Sequence, residues 1–226
     1  MTFLRTAWLV AKKDLTVEVR SREILYTTVF FALSCVLVFS FALVREGRPL
    51  EDAAAGILWI AIAFAGTLAL GRTFERERST ETLKALMLAP ASRPAVYAGK
   101  LFGILALLAA VEAALVPAVG LLFGAPLLAR PAELLALLVS GTLGFAAVGT
   151  LFAAMLVRAR SRDVLLPILL YPITVPVVIG GVRGTAALFE APPDLAAAHM
   201  WIAVLVFFDV VFMTLSLWTF EPLMTE

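Results

Sequence analysis

The sequence predicts an all-helical integral membrane protein with six spanning segments, and three observations carry that prediction. Hydrophobic residues make up 62% of the 226-residue chain and charged ones only 15%, against roughly a half and a quarter in soluble domains. Mean hydropathy is +1.00. Six apolar stretches, each close to the ~20 residues that cross a bilayer, are separated by segments whose Lys and Arg fall almost wholly on alternate sides. Isolated strands are excluded as spans because lipid offers no water to unpaired backbone groups. One transmembrane domain accounts for residues 1–226. The net charge of +1 hides the segregation and gives no basis for nucleic-acid binding.

Residues 2–23 place Leu4, Trp8, Ala11, Leu15 and Val19 at three- and four-residue spacing, with Arg5, Lys12, Thr16 and Arg20 on the other face. That pattern predicts an amphipathic interfacial helix in the headgroup region. Charges continue to Glu23 with no small-residue cleavage site, so a removable signal peptide is not expected. Spans are predicted at 24–44, 53–70, 101–123, 134–157, 164–182 and 200–220. Cys35, the single cysteine, lies in the first span, reads as a small core hydrophobe and excludes an intramolecular disulfide.

Fourteen Lys and Arg residues lie in the N-terminal segment, in 71–100 and in 157–167, against four (Arg45, Arg48, Arg130 and Arg183) on the opposite side. The positive-inside rule then puts both termini in the cytoplasm, consistent with an even number of spans. Tyr26, Tyr97, Trp201 and Trp218 near segment ends fit interfacial anchors. The fifth span carries Pro167, Pro172 and Pro176, then Gly180 and Gly181, which predicts a kinked helix that breaks before the outer face. Residues 183–199, with Pro192 and Pro193, are expected to form short turns on that side. Gly141, Gly144 and Gly149 in the fourth span read as sites of close helix packing.

The largest cytoplasmic loop, predicted at 71–100, is the first candidate for function. Glu75, Arg76, Glu77 and Arg78 alternate in sign. Ser79 or Thr80 is placed to cap a short helix with Glu81 near its positive end, and Leu83, Leu86 and Met87 give it an i, i+3, i+4 apolar stripe ended by Pro90. A solvated connector is the plain reading. A docking element for a cytoplasmic partner is the sharper one, because so short a helix has little core of its own in which to bury that stripe. The second cytoplasmic loop is compact and basic, with Arg158, Arg160 and Arg162 followed by Asp163 at a helix start; topological anchoring alone accounts for such arginines in many proteins.

Four segments together resemble the cytochrome c biogenesis family CcmB, haem exporter permease subunits: KKDLTVEVRSREIL at 12–25, GRTFERERSTETLKALMLAP at 71–90, YAGK at 97–100 and RSRDVLLPILLYPITVPVV at 160–178. The resemblance runs in order along nearly the whole chain, and its specificity rests on the combination. It implies an ABC-2-like exporter permease of the bacterial inner membrane, present as a homodimer in contact with membrane lipid. The implied partners are a separate ATPase subunit (CcmA), the haem-handling membrane proteins CcmC and CcmD, and the haem chaperone CcmE. ATP hydrolysis by the partner would support haem delivery or release of haem-loaded chaperone, with haem handled by the complex and no cofactor intrinsic to this chain. By the same resemblance the coupling element maps onto residues 75–90.

The residues themselves agree with that division of labour. No G-x-x-x-x-G-K-[ST] loop occurs, so the backbone cradle for nucleotide phosphates is missing, and neither H-E-x-x-H, paired cysteines nor G-x-S-x-G is present. Two acids lie deep within spans, Glu112 and Asp209. An ionised group there costs a few kcal/mol or more, so each is expected to face protein, a watered cavity or a partner. Pro117 follows Glu112 by little more than a turn and marks it as the better functional candidate; for both acids the alternative is a hydrogen-bonded packing residue. His199, the only histidine, reads as a polar cap at a span end rather than a haem-iron ligand. The alternatives to the haem system are a generic ABC-2 exporter of a drug or lipid-linked glycan, which would share the ATPase, and a nonenzymatic assembly scaffold, to which ATP hydrolysis would be irrelevant.

Overall fold

A computed structural model of the chain describes residues 3–45, 48–49, 53–79, 92–159 and 161–223. Seven α-helices run through them: α1 (Phe3–Ser21), α2 (Glu23–Ala42), α3 (Ala54–Ser79), α4 (Arg93–Phe123), α5 (Pro131–Met155), α6 (Arg162–Ala187) and α7 (Leu195–Leu223). The last six are each long and apolar enough to cross a membrane, and the architecture is the all-helical one expected. Two-residue strands β1 (Val44–Arg45) and β2 (Arg48–Pro49) pair antiparallel in the connection after α2.

Helix ends follow local chemistry. Arg22, at φ 54° in the left-handed region, turns the chain between α1 and α2, and Glu18 reaches across the turn to accept the Leu25 N–H at 2.8 Å, covering a free donor at the start of α2. Pro94 sits in the first turn of α4 and Pro131 opens α5, positions where the missing N–H goes unneeded. Gly124, at φ 69°, ends α4 in the conformation that favours glycine. The Asp194 carboxylate accepts the Ala197 N–H at 2.9 Å at the start of α7.

Helices α3 and α5 form the centre: 67% and 72% of their most apolar windows are buried, against 28% for α2 and 22% for α7. Small residues make that possible, because a backbone without large side chains lets neighbours approach closely. Helix α5 presents Gly141 to Trp59, Gly144 to Phe208 and Gly149 to Leu70, which is the close packing the sequence indicated. Trp59, 2% exposed, also lies against Gly181 of α6 and donates its indole N–H to Thr185 Oγ1 at 2.9 Å. One side chain of α3 thus joins α5 to α6.

Several expectations change. Residues 71–79 and 93–100, read as parts of a loop, continue α3 and α4. Helix α6 does not break within the span; it continues through Pro167, Pro172, Pro176, Gly180 and Gly181 to Ala187, and Arg183 lies in its last turns. Each proline removes a single backbone bond, whereas ending the helix inside lipid would strand several. The two glycines instead make room for Leu205 and Trp59. Tyr97 is fully buried rather than interfacial and donates to the Ala147 carbonyl at 2.9 Å. Tyr26 and Trp218 remain exposed. Helix α1 forms as predicted, but it has two apolar faces: Ala7, Val10 and Ala11 are buried, while Leu4, Trp8 and Val19 point outward. The buried face packs on α4, where Gly99 permits the approach, since a Cβ there would meet the Ala7 carbonyl oxygen at 2.6 Å.

Candidate functional site

Charged side chains gather where α3 and α4 flank the segment 80–91. Glu75 and Arg76 are consecutive, so their side chains leave α3 about 100° apart and reach different neighbours. Glu75 pairs with Arg162 at the start of α6. Arg76 pairs with Glu18 of α1 at 3.1 Å and with Glu23 of α2 at 3.8 Å, and donates to Ser21 Oγ at 3.1 Å. On α4, Lys100 lies buried with its ammonium 2.7 Å from Asp14 of α1, and Lys13 approaches the other oxygen of Asp14 at 3.0 Å. Both helices leading from the segment are thereby tied by charge to elements outside it.

Arg162 is buried although it heads its helix. Its Nη2 meets Glu75, its Nε lies 3.4 Å from Asp163, and its Nη1 has no hydrogen-bond partner among the described residues. Asp163 itself is largely exposed. Sequence reasoning grouped Glu75, Arg76, Arg162 and Asp163 by loop; the structure brings Glu75, Arg162 and Asp163 together and directs Arg76 to the other side. Glu77 and Arg78 continue the last turns of α3. Glu81, Leu83, Leu86, Met87 and Arg160 lie outside the described residues. The sequence reading missed Glu18, Asp14 and Lys100 as members of this layer; their recurrence within 12–25 and 97–100 was a signal of resemblance, not of mutual contact.

The intramembrane acids flank one helix. Glu112 on α4 accepts a hydrogen bond from the Thr142 hydroxyl of α5. Asp209 on α7 is buried beside Gly144, two residues along α5, and its Oδ1 has no partner among the described residues. Residues 142 and 144 project from nearly opposite sides of a helix, so the two acids do not form a pair. Both face protein rather than lipid, in keeping with the cost of exposing a carboxyl group to hydrocarbon.

A groove of about 700 Å³ runs between α2, α3 and α6, with Arg72, Glu75 and Arg162 at one end and Phe31, Phe64 and Tyr171 along it. The Tyr171 hydroxyl and Thr67 Oγ1 lie 3.2 Å apart within it. His199 is exposed in α7. Among the described residues no three His, Cys, Asp or Glu side chains are grouped to hold a metal ion. The arrangement joins helices through ion pairs at the ends of α3 and α4 that flank segment 80–91.

Sequence comparison now bears on this geometry. The family profile described as CcmB protein matches residues 5–222. Similar proteins include Heme exporter protein B of Pseudomonas aeruginosa, 28% identical over 192 residues that cover 82% of each chain. The Heme exporter protein B of Bradyrhizobium diazoefficiens is 26% identical over 188 residues, 82% of this chain and 83% of that one. That of Escherichia coli is 30% identical over 93 residues, 41% of this chain and 42% of the other. A profile match along almost the entire length, over six apolar helices in the expected order, means that this chain belongs to the CcmB family.

Proposed function

We propose that the chain is the permease subunit of an ABC-type haem exporter that serves c-type cytochrome maturation, and that segment 80–91 receives a separate ATPase subunit. Family membership and the relatives' shared description as Heme exporter protein B support the haem assignment. The structural observation that carries the coupling is the divergence of Glu75 and Arg76: any displacement of the end of α3 acts at once on α6 through Arg162 and on the α1–α2 turn through Glu18 and Ser21. Lys100 and Asp14 link α4 to α1 in the same layer. A push on segment 80–91 would therefore move α6 and the α1–α2 turn together.

In this reading both termini and the charged layer face the cytoplasm of a bacterial inner membrane, with α1 in the headgroup region. The ATPase partner is CcmA; CcmC, CcmD and the chaperone CcmE handle haem; and two permease copies associate. ATP is bound by the partner, and the permease itself performs no chemistry. Glu112 and Asp209 are buried polar points at which α4 and α7 meet α5.

The test is to purify the tagged chain from its native membranes in mild detergent and identify what accompanies it. An ATPase together with haem-handling membrane proteins is the expected result. An ATPase alone would shift the assignment to a generic ABC-2 exporter, and its absence would overturn the coupling.

A further inference from the structure

A second cavity, of about 560 Å³, lies apart from the groove between α2, α3 and α6, in the angle that α1 and α2 make with α4. Its two ends differ in chemistry. Arg22 stands at the α1–α2 turn, whereas Gly103, Ala106, Leu107 and Ala110 form an apolar wall along α4. From Gly103 to Ala110 that wall extends about 10 Å along the helix axis. The cavity opens to the side of the bundle: Ala106 and Ala110 are exposed, as are Val19 and Tyr26 beside them.

One cation at the cavity has no acidic partner among the described residues. Of the two acids lining it, Asp14 is held by Lys13 and Lys100 and Glu18 by Arg76. Arg22 meets no carboxylate among the described residues; its guanidinium donates to the Tyr26 hydroxyl at 3.2 Å and to the Val19 carbonyl at 3.4 Å. A guanidinium carries five donors in a planar fork suited to phosphate, so most of its capacity faces outward. The left-handed turn at Arg22 holds it at the mouth of the cavity.

The geometry points to a binding site for one anionic phospholipid, with its phosphate at Arg22 and an acyl chain along Gly103, Ala106 and Ala110. A cationic end joined to an apolar trough that opens sideways matches an amphiphile in the bilayer, and basic pockets between spanning helices are a known form of lipid recognition. The volume lies within the range of pockets for small ligands. The occupant would sit between α1 and α4, the helices joined by Asp14 and Lys100. The site is independent of whether the complex handles haem.

The experiment is native mass spectrometry of the full chain, delipidated in detergent and supplied with phosphatidylglycerol or with phosphatidylcholine of the same acyl chains. The wild-type chain is expected to retain phosphatidylglycerol about tenfold more strongly, because the choline cation of phosphatidylcholine offsets the phosphate charge that Arg22 meets. Arg22→Asn keeps a residue that tolerates the left-handed turn and should abolish that preference, weakening phosphatidylglycerol retention more than phosphatidylcholine retention. Ala106→Phe fills the trough at an exposed position and should weaken both lipids. A diazirine on the acyl chain should mark residues 103–110, and millimolar inorganic phosphate should not displace the lipid. Equal retention of the two lipids, a preference unchanged in Arg22→Asn, crosslinks confined to other helices, or displacement by phosphate would each overturn the proposal.

Discussion

Gly181→Ala tests whether Trp59 is the wedge that sets the distances between α3, α5 and α6. In an ordinary helix this change favours folding by about 1 kcal/mol. Here the new methyl would fall within contact distance of the Trp59 ring atoms, which also lie against Gly141, so the ring has no free side to which to retreat. Its N–H bond to Thr185 at 2.9 Å, one turn from residue 181, holds it further. Overpacking of this kind costs up to about 3 kcal/mol, and subtracting the helical gain leaves a net loss of about 2 kcal/mol. For a chain of this size that lowers an apparent melting midpoint by roughly 4–8 °C. The assay is the loss of the monodisperse peak in size-exclusion chromatography after stepwise heating in detergent. Trp59→Phe alone removes the N–H donor to a buried hydroxyl and leaves a void, costing about 1–2 kcal/mol. Combined with Gly181→Ala, the smaller ring should accommodate the methyl, so the double variant should be more stable than the two losses added predict. A neutral or stabilising Gly181→Ala, or strictly additive losses, would refute the wedge.

Three further predictions follow from the charged layer, the loop and the buried acid. Glu75→Ala should cost about 1–2 kcal/mol, less than the 3–5 typical of breaking a fully buried pair, because Glu75 is half exposed while Arg162 is buried; chemical denaturation in detergent would measure it, and the charge swap Glu75→Arg with Arg162→Glu should recover much of the coupling lost by either change alone. Replacing Leu83, Leu86 and Met87 with Asp should remove the ATPase from the purified complex while the permease remains in the membrane, and unchanged recovery of the ATPase would sink the docking assignment. Glu112→Gln retains an acceptor for the Thr142 hydroxyl, so permease abundance should hold while c-type cytochrome formation, read by haem staining, falls; normal cytochrome levels would leave Glu112 a packing residue.

The particular residues divide cleanly by how local their determinants are. The sequence alone determined the class, the number of spans and the segregation of charge, because crossing a bilayer requires a run of about 20 apolar residues and that property is read within one segment. It also marked Glu112 and Asp209, since a carboxyl group inside such a run is conspicuous wherever its helix packs. Tertiary structure alone decided that Trp59 meets Thr185 across 126 positions, that Tyr97 is buried, that α6 continues through three prolines, and that neighbouring Glu75 and Arg76 bind different helices. The physical reason lies in the solvent. Lipid tails are as apolar as leucine, so a residue facing lipid and one facing another helix have the same composition, and hydropathy, which locates a helix along the chain, says nothing of how it is rotated or what it touches.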